Sequence, residues 1–245
     1  MKTRISLLLA AALLAAGSCT KRPVQPRFGI AATDTLVSRN GIACKIEYRF
    51  ASILNAGKSP ALTAIEQANI GYFFDLEAFS GTVREAVAAA IGQFADIYLA
   101  DSLPTGSGNA EYEISAESEG AVVDTLVVYT ITQSSYTGGA HGMYSRENYV
   151  YSLDGGYEIT LVDLFTEAQL ESLGRLIRRK LYEQYDVRDD EGLVAAGFCP
   201  EYIAPTENFL VTPESIVFCY NPYEIGCYAL GSVEVSVSRE QLAGL

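Results

Sequence analysis

Apolar residues recur at helical spacing in two parts of this chain. Val83, Val87, Ile91, Phe94 and Tyr98 fall on one helical face. Thr82-x-x-Glu85 ahead of them is a capping box, whose hydroxyl and carboxylate take up N–H groups that a first helical turn leaves free. Leu170, Leu173, Ile177 and Leu181 repeat the pattern behind Thr166-x-x-Gln169, and Arg178, Arg179 and Lys180 sit toward the negative end of that helix. Strands are predicted at Ile42–Ile53, Ala110–Ser118, Val122–Ser134, Met143–Leu153, Tyr157–Leu161, Ser215–Tyr220 and Ser232–Val237, with Asp154-Gly155-Gly156 as a hairpin turn. Residues 60–75 carry no clean period and predict at most a short helix. Two long helices among strands and hairpins, without regular βαβ alternation, predict an α+β fold with antiparallel sheet.

The first residues set the compartment. Lys2 and Arg4 precede an apolar run from Ile5 to Ala16 broken only by Ser6, followed by Gly17, Ser18 and Cys19. The run is shorter than the ~20 apolar residues a spanning helix needs, so it reads as an export signal over residues 1–18. Small residues directly before Cys19 resemble a bacterial lipobox, which makes Cys19 the acylated first residue of a mature envelope lipoprotein. Residues 19–40 then form the lipidated N-terminus and tether, 41–150 a first α+β domain and 151–245 a second. The lipid is the only membrane attachment expected.

The chain carries 17 basic and 30 acidic residues, and loss of Lys2 and Arg4 leaves 15 basic. Such a surface repels phosphate backbones, which argues against nucleic acid and for cationic partners. Beyond Cys19 there remain Cys44, Cys199, Cys219 and Cys227, an even number that suggests at least one disulfide in an exported protein; buried free thiols are the alternative. With no C-x-x-C pair and His141 as the only imidazole, neither a metal site nor a cofactor is expected.

His141 could serve as an acid–base group, but no nucleophile elbow or orienting carboxylate accompanies it. The simpler reading is a glycine turn at Gly138, Gly139 and Gly142 whose backbone the imidazole binds. The acidic run Asp186, Asp189, Asp190 and Glu191 lacks the ligand spacing of a calcium loop and reads as a solvated turn. Tyr220, Pro222, Tyr223 and Tyr228 cluster around a turn, where tyrosines can stack on sugars or anchor a protein.

Three stretches together resemble a known family. They are Tyr136-Thr137-Gly138-Gly139-Ala140-His141-Gly142, then Tyr157-Glu158-Ile159-Thr160-Leu161-Val162-Asp163-Leu164-Phe165, then Asn208-Phe209-Leu210 with Tyr220-Asn221-Pro222-Tyr223-Glu224-Ile225. In order and spacing they resemble the extracellular region of the RsiV-type lysozyme-sensing anti-sigma factors, a pair of domains of unknown function also found before the catalytic domain of PdaC-type peptidoglycan deacetylases. The resemblance implies an α+β envelope domain, and its best-known members bind lysozyme. Candidate binding positions are Tyr136, His141, Tyr220, Tyr223 and Glu224. The expectation is a lipid-anchored binding or sensor module without catalytic activity, recognising lysozyme, another cationic envelope protein, or peptidoglycan. The alternatives are an enzyme acting on cell-wall glycan through paired carboxylates, or an assembly lipoprotein.

Overall fold

A computed structural model describes residues 22–100 and 110–245; the export segment, Cys19 and the loop from Pro104 to Asn109 lie outside them. The fold is α+β, with a five-stranded sheet in the order β1-β2-β3-β4-β5 and a three-stranded sheet in the order β6-β7-β8.

The first strand, β1 (Phe28–Arg39), occupies residues assigned above to the tether. It pairs antiparallel with β2 (Ile42–Ile53) along twelve residue pairs. Asn40 and Gly41, both at positive φ, make the two-residue turn that matches strand twist. Two helices follow. Residues 60–74 form a full helix, α1 (Pro60–Phe74), opened by Pro60 and closed by Asp75 in the left-handed region. The capping box of Thr82 and Glu85 starts α2 (Val83–Tyr98).

The chain then returns as β3 (Ala110–Val123), which lies parallel to β2, so the sheet is mixed rather than wholly antiparallel. β3 turns at Asp124 into β4 (Leu126–Tyr136), not near residue 120 as the sequence suggests. Gly120 is mid-strand because the Phe28 ring fills the space its Cβ would need, 2.2 Å away. β5 (Met143–Ser152) completes the sheet.

The expected strand at 157–161 reduces to one bridge, Tyr151 with Glu158. A capping box of Thr160 and Asp163 turns the chain there into α3 (Leu161–Leu164). The next box, Thr166 with Gln169, starts α4 (Glu167–Gln184). α5 (Asp190–Ala195) leads to β6 (Phe209–Val211), β7 (Ser215–Tyr220), β8 (Val233–Ser238) and α6 (Arg239–Ala243). Among the described residues there are therefore three long helices where two were expected. Among the described residues no helix is long and apolar enough to cross a membrane.

Two cores result. The inner face of the five-stranded sheet packs Ile46, Phe50 and Tyr129 against Leu62, Phe73 and Phe94 of α1 and α2. The second core joins Leu173 and Ile177 of α4 to Phe209, Phe218 and Val235 of the small sheet. Val128 of β4 and Val150 of β5 belong to this second core, while their neighbours Val127, Tyr129 and Tyr151 belong to the first. Side chains alternate across a strand, so these two strands form a wall buried on both faces.

The outward edge of β5 is sealed by the C-terminal half. The Arg146 N–H donates to Asn221 Oδ1 at 2.8 Å, and the Asn148 N–H donates to Asn208 Oδ1 at 3.0 Å. Asn208 Nδ2 donates to the Arg146 carbonyl at 2.7 Å. Further along, the Ile159 N–H donates to the Val150 carbonyl and the Ser152 N–H to the Tyr157 carbonyl. Two asparagine side chains thus do the work of a missing sixth strand.

Candidate functional site

The loop between β4 and β5 carries Gly138 and Gly139 at positive φ and leaves His141 exposed. The imidazole stacks on Tyr228, with ring centroids 4.1 Å apart and planes 21° apart. His141 Nδ1 lies 2.9 Å from the Gly142 carbonyl, to which it donates in the tautomer protonated at that nitrogen. The same carbonyl accepts from the Tyr228 hydroxyl at 2.8 Å. Tyr144 meets Tyr228 edge to face at 6.0 Å, and Tyr223 lies 5.4 Å from Tyr228 on another side. Tyr136, at the end of β4, donates its hydroxyl to the Gly139 carbonyl at 3.3 Å. The loop is thereby tied to the 221–231 segment by an aromatic rim built from both halves of the chain.

Tyr223 is the odd member. The Glu224 N–H donates to the Asn221 carbonyl at 3.1 Å, closing a turn with Pro222 and Tyr223 at its centre. The third position of such a turn takes positive φ and suits glycine, yet Tyr223 holds φ 75°. A bulky side chain there costs about 1–2 kcal/mol. Burial does not repay this, since Tyr223 is 57% exposed. What the strain achieves is an aromatic ring presented to solvent.

Beside the rim lies the outer face of the five-stranded sheet. Sheet register sets Leu36, Lys45, Glu113 and Tyr136 in one row across β1 to β4, and Asp34 with Glu47 in the next. Glu111, Glu117 and Glu119 extend this face along β3. Lys45 pairs with Glu47, and Arg49 with Glu117 at 3.3 Å. Asp34, Glu111, Glu113 and Glu119 have no ion pair among the described residues. The bond to Glu47 holds the Lys45 ammonium above its ordinary pKa, with Asp34 and Glu113 adding to it. A shallow basin of about 770 Å³ over this face is lined by Asp34, Leu36, Lys45, Glu111, Glu113 and Tyr136. A groove of about 460 Å³ runs along the other side of the sheet against α2, walled by Phe73, Phe94, Ile97 and Tyr98. Met143 and Tyr144 line both that groove and a small cleft at the rim shared with Glu113 and Ser134.

Of the candidate binding residues, Tyr136, His141 and Tyr223 come together at this rim. Tyr220 does not: it is buried, and its hydroxyl donates to the Ala204 carbonyl at 2.7 Å. The Glu224 carboxylate turns back to accept from the Asn221 N–H at 2.9 Å, holding the turn rather than a ligand. Asn221 Nδ2 donates to Glu147 at 2.8 Å, and burial, with Glu224 nearby, lifts the Glu147 carboxyl above its ordinary range. Tyr144, Met143 and the acidic residues of β3 were not singled out from sequence. Their signal was there: Glu111, Glu113, Glu117 and Glu119 share one strand parity.

Cys44, Cys199, Cys219 and Cys227 are all free thiols in this structure. Cys44 lies in the first core and Cys219 is buried in the small sheet; burial pushes each thiol up to about 11, which makes them unreactive. Cys199 and Cys227 flank the bridge between Phe198 and Gly226. The acidic run becomes the start of α5. The Asp189 carboxylate accepts from the Gly192 N–H, and Asp190 binds Arg178 at 2.6 Å and the Tyr182 hydroxyl at 2.7 Å. Among the described residues no group of three His, Cys, Asp or Glu side chains could hold a metal.

Residues 162–240 match the model of a family described as "Protein of unknown function (DUF3298)". Among solved structures, a member of that family from Bacteroides fragilis NCTC 9343 superposes with a TM-score of 0.78 at 24% identity, covering 90% of this chain and 93% of that one. A DUF3298 family protein from Pseudomonas aeruginosa PAO1 gives 0.63 at 16% identity, covering 91% and 94%. At these identities the likeness is one of fold. No curated protein matches the chain.

Proposed function

We propose that this chain is a non-catalytic envelope module, acylated at Cys19, that captures a cationic protein on its aromatic rim and acidic face. The observation that carries the reading is Tyr223, held exposed in a strained backbone beside the His141–Tyr228 stack, with Glu113 in the cleft that Tyr228 lines and Asp34 and Glu111 farther along the same acidic face. Exposed tyrosines supply rigid apolar contact area, and carboxylates around them steer a cationic partner. Lysozyme is the partner suggested by the resemblance to the RsiV type. Paired-carboxylate hydrolysis is not favoured by Glu147 and Glu224, which are both bonded to the Asn221 amide and committed to the seam.

The test is binding of the full chain, in detergent, to lysozyme and separately to peptidoglycan. Tyr223→Gly should weaken lysozyme binding about tenfold or more, while relief of strain leaves thermal stability unchanged or raised. Binding should also weaken with salt, as the Debye length falls from ~10 Å at 0.1 M to ~3 Å at 1 M. Peptidoglycan binding without lysozyme binding would overturn the cationic-protein reading. Cys19→Ala should move the protein out of the membrane fraction or leave it unprocessed; unchanged membrane attachment would remove the lipid anchor from the proposal.

A further inference from the structure

Among the described residues, nothing pairs with the opposite edge of the five-stranded sheet. β1 is an edge strand of twelve residues with no proline, no lysine and no bulge along its pairing with β2. Its only charges are Asp34 and Arg39, and Arg39 is paired with Asp96 of α2 at 3.1 Å. Proline, lysine and bulges are devices by which proteins ordinarily protect a free edge, and β1 lacks all three.

The direction of the free groups can be read from the start of the strand. The Arg27 N–H donates to Asn55 Oδ1, and its carbonyl accepts from the Leu54 N–H, so residue 27 faces β2 with both groups. Strict alternation then gives the odd residues of β1 to β2. The even residues Phe28, Ile30, Ala32, Asp34, Leu36 and Ser38 turn their N–H and C=O groups to the open side. On the outer face the same even residues include Ile30, 52% exposed, and Leu36, 67% exposed.

We propose that this edge pairs with the same edge of a second copy of the chain, making one continuous ten-stranded sheet. The sequence of β1 is self-complementary in a single register. With a two-fold axis through Thr33, Ile30 faces the partner's Leu36, Ala32 faces the partner's Asp34 and Phe28 faces the partner's Ser38. Every one of these pairs joins even residues, so each exchanges both backbone hydrogen bonds. The two most exposed aliphatic side chains of the strand cover one another twice over.

Moving the axis to Asp34 sets the two aspartates opposite each other, and moving it to Ala32 sets Ile30 against the partner's Asp34; both are poor cross-strand pairs. An axis between residues would put the helix-covered face of one copy beside the outer face of the other. Above the strand, Asp96 of α2 marks the flank nearest the edge, and Ala89 and Gly92 lie on that same flank. Both are small and exposed, and a Cβ on Gly92 would meet nothing within 4 Å, so this stretch of the flank is open. Pairing would also join two acidic outer faces into one surface.

The experiment is sedimentation of the full chain in detergent across micromolar concentrations, with and without salt. A dimer is expected, and it should tighten with salt, because both copies are acidic and screening removes their repulsion. That trend is opposite to the one expected for capture of a cationic protein, so the two readings fail separately. Ala32→Pro removes only an N–H that faces the open edge and should weaken the dimer at least tenfold with the monomer fold intact; Leu36→Lys should do the same. Thr33→Cys should form an oxidised dimer linked at residue 33, since opposed residues of a non-hydrogen-bonded pair approach to about 4.5 Å between Cα atoms. A wild-type chain that stays monomeric at high salt would overturn the proposal. So would a dimer that is indifferent to both Ala32→Pro and Leu36→Lys, or one in which Thr33→Cys does not cross-link.

Discussion

The two edges of the five-stranded sheet are treated in opposite ways. At β5 the outward Arg146 N–H and C=O, Asn148 N–H, Val150 C=O and Ser152 N–H meet partners, either an asparagine side chain or the returning segment at 157–159. At β1 the outward groups meet none among the described residues. A third place shows the sealing device inside the sheet. The pairing of β2 with β3 ends at Arg49 and Glu117. From there, Ser118 Oγ accepts from the Ala51 N–H, the Glu66 carboxylate accepts from the Ile53 N–H, and the Tyr129 hydroxyl donates to the Ala51 carbonyl. Side chains stand in for a strand where backbone is buried. Where it faces solvent they are absent, and water or another strand can serve.

The contrast predicts a ranking. Asn208→Ala should have the largest effect, because it strips partners from the buried Asn148 N–H and Nδ2 and from the Arg146 carbonyl. The loss should be about 3 kcal/mol, read from chemical denaturation, since each buried unmatched group costs roughly 1–3 kcal/mol. A loss below 1 kcal/mol would mean that water replaces the amide and the edge is not sealed by it.

Glu66 gives an effect of intermediate size and a definite sign. Burial raises its carboxyl above the ordinary range, with the bonds from Ser52 and Ile53 pulling the other way. The folded protein therefore binds this proton more tightly than the unfolded chain. Its contribution is complete below the ordinary glutamate value and fades as pH rises through the raised value, after which the curve is flat. Glu66→Gln should remove that slope, seen as a smaller fall in the denaturation midpoint between mildly acidic and neutral pH. Parallel curves for the two proteins would contradict the assignment.

The smallest effect belongs to the bare edge. Asp34→Ala on β1 changes an exposed side chain with no hydrogen bond among the described residues and should shift stability by no more than about 0.5 kcal/mol. A larger loss in dilute protein would show that the edge is already engaged.

How much of this was legible depended on range. α2 and α4 were readable because their starts are written within four residues, as Thr82 with Glu85 and Thr166 with Gln169. β1 was not read, although Asn40-Gly41 is a strong local hairpin signal. Its Ala, Thr and Ser content resembles a polar tether, and the strand is half exposed because it lies at an edge. The parallel placement of β3 depends on two intervening helices and leaves no local mark. The same limit applies to the rim. Tyr220 and Tyr223 look alike in a tyrosine-rich turn, but strand parity buries the first while a left-handed turn position exposes the second. Asn208 and Asn221, quoted above for a family resemblance, act as parts of the seam, a role visible only with β5 beside them.

The wall formed by β4 and β5 also separates two meanings of the word module. The stretch that similarity picks out, residues 162–240, begins ten residues beyond the end of β5. Yet its core is closed by Val128 and Val150, which lie outside that stretch. Cut at the boundary that sequence comparison draws, the C-terminal segment would be a roof without its supporting wall. It would bare the side of β6 that packs on β4 and β5, Phe209 included, and invite aggregation. What can be recognised as a unit of inheritance is thus smaller than what can fold as one.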